Sequence, residues 1–464
     1  MNRRWSTRRV IRRVLAVLGA AFVPLCLGLP AASASPSAET TPTRTPIKHF
    51  ITLMQENHTF DNYFGTYPGA DGIPKNVCMP VDVRHSSKGC VKPHHLGNGA
   101  AQDLAHSINT FKAQSDGGKY DGFVSAFSRL GIDGSLAMAH YDDRDIPYYW
   151  NIADNNVLFD RWFTSANGGS VRNHLYWVTG GPGNVSGDVI PAGGFDAPTI
   201  FDRLEAKGIS WKFYVQSYDP TINLYHRGNG DHGAQVVWVP PLTYPRYLGD
   251  PKIMAHIVPL EQYYTDLANN NLPAVSYIVP SGASEHPPGS IQAGEAFVRT
   301  LIDSLERSSA WKSSAFQWSY DDWGGWYDHV QPPQVDGFGY GFRAPALLVS
   351  AYAKHGYVDH TALDFTSIVK FIEENWNLAP LAPADPAAAK AGGLRDRRVN
   401  SFMSAFDFHQ ATRHATMLTR ERHPQAPVKP QQTVVYVSYG VALGLPTLFI
   451  VAGILAARRR RISS

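Results

Sequence analysis

The chain has 464 residues, 44% hydrophobic and 12% aromatic, enough for a large core in one big domain or two. Its formal charge of +3 sits at the ends: the first 34 residues hold six arginines and the last seven hold four, with no acid in either stretch. The 32 basic and 39 acidic residues between make the middle mildly acidic, with no basic face for nucleic acid.

Residues 1–34 read as a signal peptide. Arg-rich MNRRWSTRRVIRR precedes an apolar stretch, and Ala32-Ser33-Ala34 fits a small-residue cleavage site. Arg8 and Arg9 resemble a twin-arginine export pair, with plain Sec export as the alternative. A short linker, 35–46, follows. The apolar, β-rich run Ile47 to Met54 predicts a buried strand that stops at Gln55-Glu56-Asn57-His58. Cys26 would leave with the signal, so Cys78 and Cys90 form an even pair in an oxidising compartment and predict a disulfide.

Buried strands are expected at Pro273 to Pro280 and Pro345 to Ala353. A helix over Ala293 to Ser308 places Phe297, Leu301 and Leu305 on one face. The strand Ser314 to Tyr320 ends in Asp321 and Asp322. Asp364 is expected to cap a helix running to Trp376. Tyr218, Tyr225, Trp238, Tyr244 and Tyr247 lie in a long insertion, as a small core of its own or as lipid contacts. A Pro-rich stalk is expected over 409–433. Val434 to Ala457, without a charge, would span roughly 36 Å as a transmembrane helix against a bilayer core of about 30 Å. The tail 458–464 carries Arg458 to Arg461 and fits a cytoplasmic side. The implied location is the cell membrane, with the large domain outside.

Strands alternating with helices predict an α/β domain with a parallel or mixed sheet covered on both faces. Ligands bind beyond the carboxyl ends of such strands. Glu56, Asn57, Asp321 and Asp322 all stand at strand ends. Three carboxylates and an amide oxygen at one sheet edge would repel each other unless they held protons or a hard divalent cation. Each pair taken alone also fits an ordinary turn or cap.

These residues resemble a known family. MQENHTFDNYFG is similar to the first signature of bacterial phospholipases C and the related acid phosphatases. SYDDWGGWYDHVQPP, SEHPPGS and SANGGSVRNHLYWVTG resemble later blocks of the same family, in the right order, from about Ile47 to Trp376. The resemblance implies an alkaline-phosphatase-like fold over 47–408 and metal-assisted cleavage of phosphate esters. It assigns Glu56, Asn57, Asp321 and Asp322 to a divalent metal and the nucleophile to Ser170. His286 and His106 are implied as phosphoryl or leaving-group contacts. Asp328 and His329 are expected to orient other groups.

The sequence departs from the pattern at Gly169, Arg172 and His174, where the family has Pro, Pro and Arg, and in Asp322, often Glu. Arg172 is expected either to contact phosphate or to be a surface charge. The functions implied are a membrane-anchored phospholipase C acting on phospholipid, an acid phosphatase acting on monoesters, or a non-catalytic surface binding module.

Overall fold

A computed structural model describes residues 42–97, 101–183, 187–228 and 231–417. The signal peptide, the hydrophobic segment 434–457, the basic tail and most of the stalk lie outside the described residues. Among the described residues no helix is long and apolar enough to cross a membrane.

The fold is built on one sheet of eight strands: β1 (His49–Gln55), β2 (Val157–Phe159), β3 (Trp211–Val215), β4 (Ile257–Pro259), β5 (Val275–Val279), β6 (Ser314–Tyr320), β7 (Ala346–Ser350) and β8 (Tyr357–Asp359). Their order across the sheet is β8-β2-β7-β6-β1-β5-β3-β4. β1 lies at the centre, parallel to both neighbours, while β7 runs antiparallel between β6 and β2. The sheet is therefore mixed. β1 and β6 are covered on both sides, and β1 accordingly reads as a nearly unbroken apolar run, whereas β6 buries Ser314, Gln317 and Ser319 among its apolar residues.

Helices cover both faces. On one face Trp177, from helix α3 (Ser170–Thr179), donates to Thr52 Oγ1 at 3.0 Å. Phe371, from helix α6 (Thr366–Trp376), packs tilted against Phe50, with ring centroids 4.7 Å apart, on that same face. On the other face Tyr149, from helix α2 (Pro147–Asn155), packs 5.7 Å from Trp318 of β6. Helix α5 (Ile291–Arg307) buries Val298, Leu301, Ile302 and Leu305, whereas Phe297 is only partly buried. The cap of α6 differs from expectation: Asp364 stands one residue before the cap position, where its Oδ1 accepts from Thr366 N and bonds the Thr366 hydroxyl. Its other oxygen pairs with buried Arg395 at 3.0 Å.

Cys78 and Cys90 are joined by a disulfide. The insertion around 218–247 packs mostly as core. Trp238, Tyr244 and Tyr247 are buried and Tyr218 is partly buried, but Tyr225 is 63% exposed. Residues 409–417 bond back onto the domain through Arg413 N to Ala351 O and Met417 N to Glu306 Oε2. The folded unit thus extends past 408, where the stalk was expected to start.

Candidate metal and phosphoryl site

The parallel register of β1 and β6 pairs Gln55 with Tyr320. The next residues, Glu56 with Asp321 and Asn57 with Asp322, therefore leave the sheet side by side. Asn57 adopts a left-handed conformation, φ 65°, which Asn tolerates better than most residues. The turn after Asp322 presses on it. A Cβ added at Gly324 would lie 2.3 Å from the Asn57 carbonyl oxygen, so only glycine fits there. The sequence-predicted quartet is brought together and fully buried.

The oxygens converge. Asn57 Oδ1 faces only acceptors, 2.6 Å from Asp321 Oδ1 and 2.9 Å from Asp322 Oδ1, while its amide nitrogen faces His286 Nε2 at 2.8 Å. Turning the amide over would make these contacts hydrogen bonds. Left as it stands, three oxygens meet as they would around a cation. Glu56 Oε1, Asp321 Oδ2 and Asp322 Oδ2 are buried with no hydrogen-bond partner. Burial, then Asp321 and Asp322, pushes the Glu56 carboxyl well above its ordinary range. Burial and Asp322 do the same to Asp321, and Asp322 is pushed up to about 6, mainly by burial. Such a trio cannot stay ionised without a counter-charge. The residues present fit a divalent cation.

His174, in sequence only a departure from the family pattern, belongs to this cluster with Glu56 and Asp321. It lies one helical turn after Ser170, on the same face of α3. Its Nδ1 donates to the Ser170 carbonyl at 2.9 Å, leaving a lone pair on Nε2. That Nε2 is buried, without a hydrogen-bond partner, and 3.9 Å from Glu56 Oε1. Burial lowers its pKa to about 4, so the ring is neutral. Oxygen donors with one imidazole suit a hard or borderline divalent ion.

Ser170 opens helix α3 directly after Gly168 and Gly169, and it is half-buried. Its hydroxyl faces the Asp321 carboxylate and stabilises the charge there. His106 and His286 flank the other side of Asn57, with ring centroids 5.5 Å apart. Burial opposes charge on His106, but Asp322 and Asp103 outweigh it and raise its pKa to about 9. His286 Nδ1 donates to the Pro287 carbonyl at 2.7 Å, which turns Nε2 toward Asn57.

Arg172 is buried, 4% exposed, and is not a surface charge. Its guanidinium donates to Gly168 O at 2.8 Å and to Asn167 Oδ1 at 3.0 Å, fixing the loop that carries Ser170. Asp328 and His329 sit apart from the quartet. Arg343, fully buried, joins Asp328 Oδ1 and Asp61 Oδ1 at 2.9 Å each, and His329 Nδ1 bonds Asp61 Oδ2 at 2.8 Å. Asp61 lies on helix α1 (Phe60–Phe64), just after Asn57, so this network ties the loop after β6 to the segment after β1. Trp238, from helix α4 (Asp231–Trp238), hydrogen-bonds Glu56, which links the insertion to the site.

Glu285 is the second residue missed by sequence reading. Its carboxyl is buried and receives Tyr63 and Tyr149 hydroxyls at 2.5 Å each, and Tyr320 hydroxyl and Gln55 Nε2 at 2.9 Å each. The residue holds a left-handed φ of 70° immediately before His286.

A family model described as the Phosphoesterase family matches residues 47–379. The chain belongs to that family. This phosphoesterase is 27% identical over 431 residues to "Phospholipase C B" of Mycobacterium tuberculosis, covering 78% of each chain. It is 27% identical to "Non-hemolytic phospholipase C" of Burkholderia pseudomallei, covering 75% of this chain and 57% of that one. Among solved structures, an alkaline phosphatase superfamily protein of Vibrio parahaemolyticus is 12% identical, covering 72% of this chain and 69% of that one, with a TM-score of 0.33. A phosphoesterase with these relatives is a phosphoric ester hydrolase acting on a phospholipid or another phosphate ester.

Proposed function

We propose that this phosphoesterase is an exported phospholipase C that cleaves phospholipid diesters through a phosphoserine on Ser170. The observation that carries the reading is the placement of the Ser170 hydroxyl against Asp321, where the oxygens of Glu56, Asn57 and Asp322 converge. A divalent cation held by Glu56, Asn57, Asp321 and Asp322, with His174 Nε2 as a further donor, would supply the positive charge that favours an ionised Ser170 hydroxyl and neutralises phosphoryl oxygens.

Ser170 Oγ, its proton released to solvent, attacks phosphorus in line. The bond from phosphorus to the diacylglycerol oxygen breaks, and that oxygen takes up a proton from solvent through His286. Protonated His106 donates to a phosphoryl oxygen. Water then attacks the phosphoserine, the bond from phosphorus to Oγ breaks, and Ser170 regains a proton as the phosphorylated head group leaves. Arg172 holds the Gly168 carbonyl, and with it the serine, in place through both steps. Asp328, His329 and Arg343 hold the two metal-bearing segments against each other.

Export rests on residues 1–34 and tethering on residues 434–457. A chain ending before Thr433 is expected to be soluble and active. The purified protein is expected to release diacylglycerol from phosphatidylcholine vesicles, to stop on chelation, and to recover with added divalent ion. Turnover of 4-nitrophenyl phosphate alone would replace this reading with a monoester phosphatase. A metal-loaded protein that turns over neither substrate would make it a binding module.

A further inference from the structure

Helix α3 begins at Ser170, and its first amides lack partners within the helix. An end of this kind draws anions. Here a side chain of the same protein already occupies it: Asp188 Oδ1 accepts from Val171 N at 2.9 Å. The carboxyl group also lies against Gly169, where an added Cβ would come within 2.3 Å of its carbon. Asp188 keeps part of its surface in solvent, while burial of its carboxyl raises its pKa against the opposing hydrogen bond from Val171 N and the charge of Arg172. It interacts electrostatically with Glu56, Asp322 and His106, which places its charge within reach of a bound phosphate. Arg172 beside it bonds Asp188 through its backbone N–H and partly offsets its charge, while its guanidinium donates to Gly168 and Asn167.

We propose that Asp188 sets specificity by disfavouring doubly charged phosphate monoesters against singly charged phosphodiesters. The proposal rests on the reading of Ser170 as the nucleophile. Near neutral pH a phosphate monoester carries between about −1.5 and −2 charges, because its second pKa is near 6, whereas a diester carries one. When ionised, Asp188 repels the first about 1.5 to 2 times as strongly. The occupied helix end also withholds the amides that would otherwise reward the extra oxygen charge.

Asp188→Asn keeps an acceptor for Val171 N and removes the charge. Asp188→Ser does so with a shorter side chain and guards against a fold-specific failure of the first variant. Both are compared with wild type, as the full metal-loaded chain in detergent, on 4-nitrophenyl phosphate and bis(4-nitrophenyl) phosphate. Affinity for inorganic phosphate is measured by calorimetry. In a partly solvated cleft, losing the charge should raise kcat/KM by roughly threefold to tenfold per unit of substrate charge. The monoester to diester ratio therefore rises by about twofold to tenfold, phosphate binds several-fold tighter, and both gains shrink with added salt. An unchanged ratio with unchanged phosphate affinity overturns the proposal, as does an equal fall for both substrates, which would make Asp188 only an anchor for its loop. An active Ser170→Ala enzyme would sink the nucleophile reading instead, and the phosphate affinities would still decide the role of Asp188.

Discussion

Replacing Glu285 by alanine tests how the fold positions the site. The substitution leaves four buried donors without their acceptor: the hydroxyls of Tyr63, Tyr149 and Tyr320 and the amide of Gln55. Each orphaned donor costs about 1 kcal/mol or more, so the loss is about 4 kcal/mol. At about 2.1 cal/mol/K per residue, the roughly 370 described residues convert this to a fall in Tm of about 5 °C. The same carboxyl holds a left-handed residue directly before His286. Freeing it should lower kcat by about tenfold or more with a smaller change in KM, since the imidazole loses its aim and the cation quartet does not. Differential scanning fluorimetry and steady-state kinetics on one preparation report both. A variant with wild-type Tm and kcat would refute the reasoning. A lower Tm with unchanged kcat would leave Glu285 a structural residue only.

Glu285→Gln should change the pH dependence of stability. Burial raises the Glu285 pKa from 4.5 to about 7 despite its hydrogen bonds, so between these values the folded state keeps a proton that the unfolded chain has lost. Wild-type stability therefore falls as pH rises across that window, by about 3 kcal/mol at most. Urea midpoints of the Gln variant should lose this component, and an unaltered slope would remove Glu285 as its source. Glu56→Ala or Asp321→Ala should abolish both metal content and turnover, by elemental analysis and assay. His174→Ala should weaken metal affinity by about tenfold or more in chelator competition, whereas unaltered affinity would take His174 out of the ligand set.

Much of the fold was legible because central parallel strands are buried on both faces. β1 reads as an apolar run, and the acids at the ends of β1 and β6 mark where the sheet stops being covered. The run at β7 betrayed a strand but not its antiparallel direction, which is set by tertiary pairing. The three-residue strands β2, β4 and β8 are too short to carry a period. The quartet and Ser170 were readable as motif residues. His174 was not, because it stands where the family has Arg; its spacing of four from Ser170 on a helix is the signal it carries. The four partners of Glu285 come from three separate stretches of chain, and Asp188 reaches Val171 N across 17 residues. No local pattern carries contacts of that kind.

The central claim is that Ser170 forms the covalent intermediate. Its most direct test is acid quenching during turnover of a slow phosphodiester, followed by peptide mapping. The account predicts a phosphate-bearing adduct on the peptide that contains Ser170, absent in Ser170→Ala, which keeps its Tm and metal but loses at least about a thousandfold in kcat. An adduct mapped elsewhere, or wild-type kinetics in Ser170→Ala, would contradict it.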